Sequence, residues 1–127
     1  MPAKTPEEVH SQFTEYFAAG DMDGLISLYE ANAAFMPQPG QTVQGLEAIR
    51  SALGAFLALK GEFGMQPAKA IRTGDLALLY ARWFIKGTGP DGNTIELQGH
   101  TSDVVRRQAD GTWLFAIDNP YGAEGMV

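Results

Sequence analysis

The sequence predicts one α+β domain in which a strongly curved antiparallel sheet wraps N-terminal helices and encloses a small, mainly apolar pocket. Three observations predict it. Apolar residues recur at helical spacing as far as about Lys60, apolar-rich runs of strand length follow Gly61, and the separators in that second half are hairpin-like turns. The 127 residues suit a single domain spanning 1–127.

The first helix starts at Thr5, a capping residue, with Pro6 at the first helical position and Glu8 where a capping box wants an acid. Val9, Phe13, Tyr16 and Phe17 then form a face that ends at Gly20. Asp21 caps a second, short helix carrying Leu25, Leu28 and Tyr29, and Leu46 to about Lys60 makes a third with Ile49, Leu53, Phe56 and Leu57 on one stripe. Between these two helices, Ala33 to Met36 reads as a short strand, followed by a Pro37 to Gly40 turn that cannot join a central ladder. Four strands follow: Glu62 to Arg72, Leu76 to Gly87, Asn93 to Arg107 and Thr112 to Asn119. Gly87, Gly89 and Gly92 fit a dinucleotide-binding pattern on paper, but a strand follows them where that motif needs a helix, so the segment reads as a hairpin.

Composition removes several chemistries. A net charge of -6 opposes binding to phosphate backbones and anionic headgroups, so no nucleic acid and no membrane partner is expected. The absence of cysteine excludes disulfides, thiolate zinc sites and cysteine nucleophiles. Two histidines, His10 and His100, lack a metal-ligand spacing, and neither a metal nor another cofactor is expected. With no segment of signal-peptide character at the start, the expected location is cytoplasmic.

Strand parity divides the sheet into two surfaces. Ala77, Leu79, Ala81, Trp83 and Ile85 oppose Leu78, Tyr80, Arg82, Phe84 and Lys86, while Trp113, Phe115 and Ile117 oppose Leu114, Ala116 and Asp118. One face is uniformly apolar, and the other mixes apolar residues with single polar ones. Since pockets are mostly apolar with a few placed polar groups, the mixed face is expected to line the cavity, and the Trp83/Phe115 face to form a homodimer.

The segments AAGDMDGLISLYEANAAFMPQPGQTVQGLEAIRSAL and DVVRRQADGTWLFAIDNPYG resemble the nuclear transport factor 2-like superfamily, specifically its SnoaL-like and ketosteroid-isomerase-like members. The resemblance runs from about Thr5 to Gly122. It implies a cone-shaped α+β barrel of cystatin-like type, usually dimeric, hosting isomerases, dehydratases, cyclases and noncatalytic modules. The isomerase base would fall in Phe35-Met36-Pro37-Gln38, where no carboxylate stands. For the oxyanion hole the resemblance implies Tyr16 and Asp103, and it turns Asp118 toward the pocket.

Two readings stay open. In one, Asp118 or Asp103 is an acid or base, Arg82 orients a carbonyl or carboxylate, Tyr80 and Tyr16 donate hydrogen bonds, and Met36, Phe84, Leu114 and Asn119 shape the site for a small apolar substrate. In the other, Arg82 and the two acids form a closed ion pair inside a noncatalytic ligand-binding or assembly module. A cavity of a few hundred cubic ångströms with an unpaired polar group favours the enzyme; a filled interior favours the module.

Overall fold

The structure, a computed structural model, describes residues 2–123. Helix α1 spans Pro6–Ala19: the Thr5 side chain accepts from the Glu8 amide at 3.3 Å, Pro6 opens the first turn, and Gly20 closes it with φ of 67°. Pro6, Val9, His10, Phe13 and Phe17 are its buried residues. Helix α2 is only Met22–Ile26, capped by Asp21. It ends earlier than its sequence suggests, and Tyr29 becomes the first residue of strand β1, Tyr29–Gln38. Because Gly24 has no side chain, the Tyr16 ring packs directly over it; a β-carbon there would sit 2.3 Å from that ring. Helix α3, Leu46–Leu57, buries Ile49 and Leu53 and packs chiefly on β1.

The turn at Pro39 and Gly40 leads into a strand absent from the sequence reading, β2, Gln41–Gln44, which pairs antiparallel with β1. Beyond α3, three of the four expected strands divide. The first becomes β3, Glu62–Met65, and β4, Lys69–Thr73, separated around Pro67, which has no amide to offer a ladder. The second becomes β5, Leu76–Tyr80, and β6, Arg82–Thr88; the third becomes β7, Thr94–His100, and β8, Asp103–Arg107. These two breaks coincide: the Thr101 amide donates to the Ala81 carbonyl, and the Ala81 amide to the Thr101 hydroxyl. The paired strands bend there together, as a sheet turning a corner must. Strand β9 is Trp113–Asp118.

The resulting sheets run β2-β1-β9-β8-β5-β4 and β3-β6-β7. All pairings are antiparallel except β1 with β9, which is parallel. Gly87 to Gly92 lies in the β6–β7 hairpin, with the Gly89 amide bonded to the Asn93 carbonyl. Together the two sheets wrap α1, and the core includes Val9, Leu25, Ile49, Leu53, Leu79, Trp113 and Phe115. Among the described residues no helix is long and apolar enough to cross a membrane.

The parity assignment is reversed by the structure. Ala77, Leu79, Trp83, Ile85, Trp113 and Phe115 are buried inside, so the Trp83/Phe115 face cannot be an intersubunit surface. Tyr80, Arg82 and Phe84 lie on the outside. The physical reason is the cost of enclosing a guanidinium among hydrocarbon, several kcal/mol when unpaired, which the uniformly apolar face does not incur.

Candidate functional site

The interior is lined by aromatic side chains. Six of the seven phenylalanines line one cavity with Trp83, and the seventh, Phe84, covers Gly64 elsewhere. The free space is about 40 Å³, room for roughly three waters at ~10–15 Å³ each. That is far tighter than the few hundred cubic ångströms of an ordinary ligand site. Among its walls the ionisable groups are His10, Asp103 and Asp118.

Both acids arrive at the sheet corner, one at the start of β8 and the other at the end of β9. Asp103 is inward because it shares the facing of Val105, and both are buried. Asp118 is inward for a reason strict alternation conceals. Val105 pairs with Phe115 but Val104 pairs with Ile117, leaving Ala116 as an extra residue on β9. This β-bulge shifts the facing by one, so that Phe115 and Asp118 look inward while Ile117 is exposed. Continuing the register sets Asp118 opposite Asp103.

Asp103 Oδ1 accepts from the Asn119 amide at 2.7 Å, its Oδ2 lies 2.6 Å from His10 Nε2, and a side-chain hydrogen bond links it to Asp118. Asp118 accepts from the Tyr29 hydroxyl at 2.5 Å. Burial pushes the Asp118 carboxyl well above the usual carboxylate range, and the neighbouring Asp103 charge pushes it further; the Tyr29 hydrogen bond pulls the other way. Burial, followed by the Asp118 charge, likewise raises the Tyr29 phenol, so its proton stays in place as a donor. Trp83 Nε1 donates to the Pro120 carbonyl at 2.6 Å, fixing the chain just beyond Asp118.

The structure therefore brings Asp103 and Asp118 together and separates them from the other candidates. No ion pair joins Arg82 to either acid; their partners are His10 and Tyr29. Tyr80, 41% exposed, stands on the outer face with Arg82 and Phe84. Tyr16 is turned to Gly24 because it sits one residue before Phe17, about 100° around the helix from that cavity-lining ring. Met36 and Leu114, which alternate with inward Phe35 and Phe115, are not in the cavity wall. Asn119 contributes its backbone amide to Asp103, and its Nδ2 donates to the Gly122 carbonyl.

His10 and Tyr29 were not among the candidates drawn from sequence. His10 carried a usable signal, since it precedes Phe13 and Phe17 by three and seven residues and so shares their helical face. Tyr29 carried none while it read as the end of a helix. Among the described residues, no three His, Cys, Asp or Glu side chains converge as a metal site requires.

A family model for the SnoaL-like domain matches residues 10–115. No protein of curated function matches the sequence. Solved structures share the architecture. One, provisionally described as a ketosteroid isomerase from Shewanella frigidimarina, is 23% identical with a TM-score of 0.73, over 87% of this chain and 90% of that one. Another, provisionally described as a dehydratase of the NTF2-like family from Streptomyces avermitilis, is 20% identical with a TM-score of 0.70, over 87% and 89%. A third, an NTF2-like protein with a cystatin-like fold from Novosphingobium aromaticivorans, is 17% identical with a TM-score of 0.72, over 88% and 75%. The cone-shaped α+β barrel of the nuclear transport factor 2-like superfamily is the fold of this chain.

Proposed function

The chain belongs to the SnoaL-like domain family, and from that premise we propose that its interior is an acid/base site for a small, neutral, apolar carbonyl compound, in an isomerase, dehydratase or cyclase reaction. The observation that carries this reading is Asp118: a buried carboxyl, raised by burial and by Asp103, bonded to Tyr29 and set in an aromatic wall. A carboxyl whose proton is held more tightly than usual can donate a hydrogen bond to a carbonyl oxygen and strengthen that bond as negative charge develops there. Substrate neutrality is supported by the absence of Arg and Lys from the cavity wall among the described residues. Its small size is supported by the narrow free space, about 40 Å³, which the aromatic side chains must widen to admit even a six-atom ketone.

Two small probes test this. Cyclopentanone reports enolisation through exchange of its α-protons in D2O, followed by proton NMR. Phenol, flat and carrying one oxygen, reports binding. The wild type is expected to bind phenol and to accelerate exchange over buffer, with both lost in Asp118→Leu and exchange falling by about 100-fold or more. Unchanged binding and exchange in that variant refute the reading.

A noncatalytic module remains the second reading, favoured by the tightly filled interior. The outer face supports self-association as well. Ile71 pairs with Leu78, Leu78 with Val104, and Val104 with Ile117, so an apolar row crosses four strands with Ile71, Leu78 and Ile117 exposed. A second copy is the economical cover for it, on the opposite face from Trp83 and Phe115.

A further inference from the structure

His10 is 3% exposed and lines the cavity, yet one of its two ring nitrogens has no partner among the described residues. The other polar groups in the wall are engaged. The Thr101 hydroxyl accepts from Ala81, Trp83 Nε1 donates to Pro120, Asp118 accepts from Tyr29, and Asp103 accepts at both oxygens. Buried polar atoms are usually satisfied, so an orphan nitrogen in a cavity wall marks a place where another molecule's atom belongs. Asn119 Oδ1 is also unpaired, but an amide oxygen is a weak base and Asn119 is not in that wall.

The chemistry of the orphan follows from its neighbour. With Asp103 as the carboxylate, which only accepts hydrogen bonds, the 2.6 Å contact at its Oδ2 puts the hydrogen on His10 Nε2. In a neutral imidazole the remaining nitrogen, Nδ1, then carries a lone pair. Asp103 is held in turn by the Asn119 amide, so the ring is oriented through a chain of three groups, as the base of a catalytic dyad is.

We propose that His10 is the catalytic base of this site, its Nδ1 taking a proton from carbon next to the substrate carbonyl while Asp103 fixes the ring and Asp118 holds the carbonyl oxygen. The proposal rests on the acid/base reading of the cavity. In the step, the α-carbon to hydrogen bond breaks and its electron pair forms the new carbon–carbon double bond. The carbonyl π pair moves onto the oxygen facing Asp118, and the proton goes to Nδ1. Delivery of a proton from Nδ1 back to carbon reverses the step or completes an isomerisation. No oxidant or co-reactant is needed.

The test uses the full chain. Gln in place of His10 retains a donor for Asp103 and removes the basic lone pair, so His10→Gln is expected to lower cyclopentanone exchange by about 100-fold or more, the usual span of a general base. Arg82→Ala, on the outer face, is the control expected to exchange like the wild type. Long-range nitrogen–proton NMR on the wild type reads the tautomer without any variant: hydrogen on Nε2 and a bare Nδ1 are expected. Hydrogen on Nδ1 in the neutral ring overturns the proposal, as does undiminished exchange in His10→Gln. Exchange that is lost in Asp118→Leu but kept in His10→Gln overturns the base assignment while leaving the Asp118 reading in place. Loss of that lower reading is recognised separately, by Asp118→Leu behaving as wild type in both assays.

Discussion

Replacing Asp118 by Asn should make stability less dependent on pH, with a sign fixed by the geometry. In the unfolded chain the carboxyl titrates near 3.8, and in the fold burial and the Asp103 charge hold it well above that. The folded state therefore binds the proton more tightly than the unfolded one. Its contribution to stability is fully present below about pH 3.8 and is lost as pH rises through the elevated folded value. Within that window the loss approaches ~1.4 kcal/mol per pH unit. For 127 residues, at about 2.1 cal/mol/K of unfolding entropy per residue, that is roughly a 5 °C fall in Tm per unit. Asn is nearly isosteric and does not titrate, so the difference between wild type and Asp118→Asn isolates the group from other titrations. The measurement is thermal or urea unfolding of both proteins from pH 4 upward. The wild type should lose ground against the variant as pH rises. A difference that is flat, or that grows in favour of the wild type, refutes the claim that Asp118 is buried beside another carboxyl.

Two other outcomes follow from neighbouring contacts. Tyr29→Phe removes the donor to Asp118 at the cost of about 1–3 kcal/mol and moves the carboxyl still higher, visible as a later midpoint in carbon-13 NMR of the Asp118 carboxyl. The outer apolar row predicts a dimer at micromolar concentration in analytical ultracentrifugation, reduced to monomer by Leu78→Glu; a wild type that is monomeric throughout removes that surface from consideration.

The legible parts of the fold were those governed by neighbours in sequence. Thr5, Pro6 and Gly20 bound α1 through local hydrogen bonds and backbone angles, and the turn at Gly111 follows from Asp110 and glycine chemistry. Less legible were features set by distant pairing. The corner at Ala81 exists because Thr101, twenty residues on, bonds it from both sides, and no residue near Ala81 signals a break. The site suffered most. Arg82 looked inward because a mixed face resembles a pocket lining, whereas the two acids that are inside enter from strand ends, where the backbone is already irregular. His10 was readable from its spacing to Phe13 and Phe17, but its meaning depended on Asp103, ninety-three positions away.

The extra residue at Ala116 separates two properties that a regular strand would tie together: how sharply the sheet bends and which side chains it encloses. Asp118 stands three positions after Phe115 here, and without the insertion the same inward acid would stand two positions after its aromatic. Chain length at this point can therefore change by one and alter the bend of the sheet while the acid stays inward. Descent through such a change would conserve an orientation rather than an alignment column, and the acid would be inherited across a gap.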